Sequence, residues 1–149
     1  MTREERIARN RLEALAGDQR GRQLLQLALR GIQTSGHGIT IGCWVKPGGG
    51  VSGCVFQHAY WQGVDEGVFH AASQADRQIK GLVEDRDFHL VMEAIRALDS
   101  LGKRRFLRRR GLRHELDEAA WRATVERLLI DALSRPASAP SREPVPSSA

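Results

Sequence analysis

Two groups of side chains in this 149-residue chain have the chemistry to do more than fill space. The first lies between residues 36 and 63, where His37, Cys43, Trp44, Cys54, His58, Tyr60 and Trp61 gather in a glycine-rich stretch. Thiols and imidazoles ligate metals or act as nucleophile and base, and aromatic rings stack on bases. The second is a run of cations. Lys103, Arg104, Arg105, Arg108, Arg109, Arg110 and Arg113 place seven positive charges within eleven residues.

What the first group can do depends on the local backbone. Ile39, Ile41, Cys43 and Val45 alternate with Thr40, Gly42, Trp44 and Lys46, a strand pattern, and Pro47 to Gly50 make a turn. If Val51 to Tyr60 returns as a second strand, Cys43 faces Cys54 and Ile39 faces His58 in a β-hairpin over about residues 39–58. Directly opposed side chains stand about 4.5–5.5 Å apart. The thiols then touch as small hydrophobes of the core, while His58 lies roughly 13 Å further along the strand, too far to share a metal. If a helix opens at Cys54 instead, Cys54 and His58 stand at i and i+4 on one face, and His37 and Cys43 complete a four-ligand set. The five- and ten-residue gaps match no standard zinc motif. A cysteine after glycines at a helix start is also a nucleophile candidate, with His37, His58, His70 or His89 as base, although free cysteine is more often simply buried. No cofactor is implied. The glycines lack the Gly-Lys-Ser/Thr ending of a phosphate loop and the spacing of a dinucleotide fingerprint.

For the second group the sequence suggests a helix. At about 100° per residue, Arg104, Arg105, Arg108 and Arg109 fall within an arc of about 140°, leaving Phe106 and Leu107 to dock on the core. The segment then continues the preceding helix, with Gly102 as a weak point. Like charges on adjacent turns repel, so their grouping implies an anionic counterpart. The phosphates of DNA or RNA are the commonest, held by bidentate guanidinium contacts and favoured by counterion release. Trp44 is a candidate stacking side chain beside such a patch. Carboxylates of the chain itself (Glu84, Asp85, Asp87, Glu93, Asp99, Asp117, Glu118, Glu126), a homodimer, or an acidic protein partner are the competing sources of negative charge.

The elements that must position these groups are mainly helical. Thr2 and Glu5 form a capping box ahead of Ile7, Ala8, Leu12 and Leu15, and Asp18 caps a helix striped by Leu24, Leu25, Ala28, Leu29 and Ile32. Helical spacing returns after Ser73 with Ala75, Ile79, Leu82 and Val83. It continues through Phe88, Val91, Met92, Ile95 and Leu98, and again through Trp121, Val125, Leu128, Leu129 and Ala132 up to Pro136. The fold expected is helix-rich α+β, with five to six helices around one small hairpin, in a single domain over residues 1–135. Residues 136–149 carry four of the five prolines and almost no large apolar side chain, the composition of a disordered tail.

Charge distribution narrows the function classes further. The net charge is +5, yet residues 102–116 alone carry +6 and residues 84–101 carry −3. No run approaches the roughly 20 apolar residues of a membrane span, and Phe106 with Leu107 is too small an apolar face for membrane-surface insertion. The charged N-terminus lacks a secretory pattern, which makes the cytoplasm the expected location. The function expected is non-enzymatic nucleic-acid binding through Lys103, Arg104, Arg105, Arg108, Arg109 and Arg113. A thiol/imidazole site on Cys43, Cys54 and His58, either zinc-binding or catalytic, is the first alternative. A module for an acidic protein partner is the second.

Overall fold

The computed structural model describes residues 1–42, 52–71 and 74–136. Six α-helices and two small two-stranded sheets make up these residues, a helix-rich α+β architecture as the sequence leads one to expect. Helix α1 (Arg3–Gly17) starts at Thr2, whose hydroxyl accepts from the Glu5 amide at 3.2 Å. Asp18 ends α1 and begins α2 (Gln19–Thr34), its carboxylate accepting from the Gly21 amide at 3.0 Å. Each such cap is worth about 1 kcal/mol. Arg22 then ties two helix ends together, donating to the carbonyls of Ala16 in α1 and of Leu133 near the C-terminus of the last helix among the described residues.

After α2 the chain runs through Ser35 and His37 into strand β1 (Gly38–Ile39), which pairs in parallel with β2 (Ser52–Gly53). Helix α3 (Val55–Asp65) follows directly. The β element therefore differs from the antiparallel hairpin expected over residues 39–58, and the helical alternative for the second half of that segment is the one observed. The burial pattern explains the choice. Val55, Phe56, Ala59, Tyr60 and Gly63 are all buried, a helical period that a strand would split between two faces. Cys43, Trp44 and the intervening turn lie outside the described residues, as does most of the expected C-terminal tail.

Helix α4 (Ala75–Val83) and a 3-10 turn (Asp85–Asp87) lead into α5 (Phe88–Arg105), strands β3 (Leu107–Arg110) and β4 (Arg113–Leu116), and α6 (Glu118–Ser134). Leu12, Leu15, Leu24, Leu25, Leu27, Leu101, Leu128 and Leu129 are fully buried and form the centre of one core. Trp121 is buried with them, and its indole N–H donates to the Thr40 carbonyl at 3.3 Å. None of the helices among the described residues is long and apolar enough to cross a membrane.

Candidate nucleic-acid interface

The cationic run does not form one helix. Lys103, Arg104 and Arg105 make the last turn of α5, where positive charge complements the carbonyl end of the helix dipole. Gly102 does not break this helix. A Cβ there would lie 2.6 Å from the Ile41 side chain, so glycine lets the loop after β1 pack against α5. The backbone leaves the helix at Phe106, whose ring packs on Trp121 with centroids 5.4 Å apart.

From Leu107 the chain forms an antiparallel hairpin. Leu107 faces Leu116, Arg108 faces Glu115, Arg109 faces His114, and Arg110 faces Arg113. Leu107 and Leu116 are half-buried against the core and anchor the base, while every residue from Arg108 to Glu115 is exposed. Gly111 has φ +61, and Leu112 is not among the residues with positive φ. A positive φ at the first of two loop residues alone is the pattern of a type II′ turn, which matches the twist of paired strands. The four arginines expected on one helical face are therefore divided. Arg104 and Arg105 end the helix, and Arg108 and Arg109 point to opposite faces of the ribbon because side chains alternate along a strand. Arg108, Arg110, Arg113 and Glu115 share one face.

Own-chain carboxylates meet only part of this charge. Arg104 pairs with Glu4 at 3.2 Å and Arg110 with Glu115 at 3.2 Å, both solvent-exposed. Arg109 donates to the Gly111 carbonyl at 3.2 Å. Arg105, Arg108, Arg109 and Arg113 make no ion pair among the described residues. Arg110 and Arg113 sit directly opposite each other, an arrangement of like charges that disfavours the hairpin by a few tenths to about 1 kcal/mol.

The thiol and imidazole candidates are arranged quite differently. His58 is fully buried on α3. Its Nε2 donates to the Gly38 carbonyl at 2.9 Å, which leaves Nδ1 as the acceptor facing the Ser35 hydroxyl at 3.4 Å. Ser35 Oγ accepts in turn from the His37 amide at 3.1 Å. Burial is the main cause holding the His58 pKa below its ordinary value, with Arg122 and His37 nearby acting in the same direction. The Trp61 ring lies edge-on to both His37 and His58, at centroid distances of 5.0 and 5.3 Å. Arg122 on α6 fixes the same loop by donating to the carbonyls of Ile32 and His37, each at 2.6 Å.

His58 is thus committed to the chain through both ring nitrogens. It joins α3 to the loop that enters β1. Cys54 is the N-cap residue of α3, immediately before the helix, and its side chain makes no capping hydrogen bond. Among the described residues no group of three or more His, Cys, Asp or Glu side chains is placed to hold a metal ion.

Compared with protein-family models, with curated proteins and with solved structures, the chain gives no match.

Proposed function

We propose that the chain is a non-enzymatic nucleic-acid-binding domain whose binding element is the arginine-rich hairpin β3–β4 together with the last turn of α5. The observation that carries this is the incomplete internal neutralisation of the cations. Within residues 103–113 only Arg104 and Arg110 have a carboxylate within ion-pair distance, and Arg105, Arg108, Arg109 and Arg113 extend into solvent without one among the described residues. Guanidinium groups held this way are suited to phosphate oxygens, which they engage bidentately. The hairpin's form supports the same function, since two-stranded ribbons are among the elements that enter nucleic-acid grooves.

Four phosphate contacts give a log–log salt slope of about −3.6, roughly a hundredfold loss of affinity between 50 and 200 mM salt. The measurement is fluorescence anisotropy of the full chain with labelled duplex and single-stranded oligonucleotides. The combined variant Arg105→Ala, Arg108→Ala, Arg109→Ala, Arg113→Ala is expected to lose most of that binding and to flatten the slope. Undetectable affinity at low salt, or affinity unchanged in the variant, refutes the proposal. Saturation by poly-glutamate without any nucleic-acid affinity transfers the cationic surface to an acidic protein partner.

A further inference from the structure

Leu112 sits at the tip of the β3–β4 hairpin and is 97% exposed. The other exposed large apolar side chains among the described residues are better covered, Met1 at 63%, Ile130 at 48%, Ile7 at 39% and Val68 at 37%. Leaving a leucine in water forgoes about 1.5–3 kcal/mol relative to burying it. The turn itself asks for nothing apolar here: Gly111 supplies the positive φ, and a polar residue serves equally at the next position. The residues beside the turn are Arg110 and Arg113, cross-strand partners that close the loop. The result is a narrow arm with an apolar point and, just behind it on one face, a cation from each strand, Arg110 also pairing with Glu115.

We infer that Leu112 is a wedge for duplex DNA, entering between two base pairs from the minor groove while Arg110 and Arg113 hold the phosphates on either side. This rests on the nucleic-acid function proposed above and adds to it both a substrate class and a mode of contact. Leucine is among the side chains that unstack a base step in this way, and the kink they impose lets the bent duplex wrap more of the protein. The part that enters is one leucine side chain at the turn, narrow enough for a minor groove about 6 Å wide, while the ribbon behind it stays outside the groove. Duplex DNA fits this better than duplex RNA, whose minor groove is wide and shallow and gives a narrow point no walls to grip.

The test uses the full chain and a DNA duplex carrying 2-aminopurine at its centre and a donor–acceptor dye pair at its ends. Wild-type protein at saturation is expected to raise 2-aminopurine fluorescence, by unstacking, and to shorten the end-to-end distance. Leu112→Ala is expected to abolish both signals and weaken duplex binding about tenfold, with an unchanged salt slope. Leu112→Phe is expected to restore the signals. Because the residue lies on an exposed turn, all three proteins are expected to share one melting temperature.

If wild type binds the duplex but neither signal appears, or if Leu112→Ala keeps them, the wedge is refuted and nucleic-acid binding stands. If no variant binds DNA or RNA at low salt, both fall together. Leu112-dependent dimerisation without DNA overturns the wedge by assigning the tip to a protein interface.

Discussion

Replacing Gly31 with alanine tests a close backbone approach between α2 and α3, the helix that carries His58. Helices α2 and α3 cross at this glycine, where an added Cβ would lie 2.6 Å from the His58 carbonyl oxygen and 3.3 Å from Cβ of Gln62. Ordinary carbon–oxygen contacts lie at about 3.3–3.6 Å, so the helices would have to separate by about 0.7 Å. The obstacle at 2.6 Å is backbone and cannot rotate aside. Separation would also strain the Arg30–Glu66 pair at 2.8 Å and the His58–Gly38 bond, both of which depend on that spacing. Overpacking of this kind costs up to about 3 kcal/mol, and removing a helical glycine returns about 1 kcal/mol. The expected net loss is about 2 kcal/mol. Gly81 on α4 is the internal control, because a Cβ there meets nothing within 4 Å. Gly81→Ala is expected to gain about 1 kcal/mol from helix propensity alone. At about 2–4 °C per kcal/mol for a chain of this size, the two variants differ in melting temperature by about 6–12 °C. Thermal and urea unfolding followed by circular dichroism measures the difference. A Gly31→Ala protein as stable as wild type would refute the close α2–α3 contact.

Two further perturbations address other parts of the fold. His58 has a lowered pKa in the native state, so between about pH 6.5 and that lower value the unfolded chain binds more protons than the folded one. Stability is therefore fully present above that window and is lost as pH falls through it, with a limiting slope of about 1.4 kcal/mol per pH unit. His58→Gln is expected to be less stable at neutral pH but flatter between pH 7 and 5; an equally steep profile would remove His58 as the source. Glu84, between α4 and the 3-10 turn, adopts φ 66 and ψ 150, a region of backbone space that is essentially glycine's. Glu84→Gly is expected to relieve more strain than it adds in unfolded-state freedom, raising stability by about 1 kcal/mol in urea titration; a destabilised variant would show that the strain is absent.

The helices could be read from the sequence wherever two local signals agreed. Thr2 with Glu5, and Asp18 with the leucine stripe after it, each combine a start signal with a buried face, and α1 and α2 form there. Val51 to Tyr60 fitted two periods. What separates them is which residues α2 and the core cover, a tertiary fact invisible in a ten-residue window. The cationic segment misled for a different reason. Arginine is a good helix former and residues 103–113 contain no β-branched side chain, so local preference favours continuing α5. The contrary signals were few: a Gly-Leu pair able to make a type II′ turn, and Leu107 and Leu116 placed symmetrically about it. The structural role of His58 had no local signature at all, because its two partners, Ser35 and Gly38, come from another part of the chain.

The change from helix to ribbon alters what the cations are suited to recognise. On a helix, Arg104, Arg105, Arg108 and Arg109 would form a single stripe, matched to any flat anionic surface, an acidic protein included. On the hairpin, Arg108, Arg110 and Arg113 occupy one face and Arg109 the other, while Lys103, Arg104 and Arg105 remain at the helix end below. Charge on both sides of a thin projecting arm is used fully only when the partner presents anions on both sides as well. A nucleic-acid groove walled by two phosphate strands does this, whereas a flat acidic surface reaches one face and leaves Arg109 or the Arg108–Arg113 face in water. Glu115 lies on the more cationic face and pairs with Arg110, lowering its net charge without removing the guanidinium. The proposal of a grooved polyanion over a planar one rests on this division of the cations between two faces, a distinction that the count of arginines alone does not make.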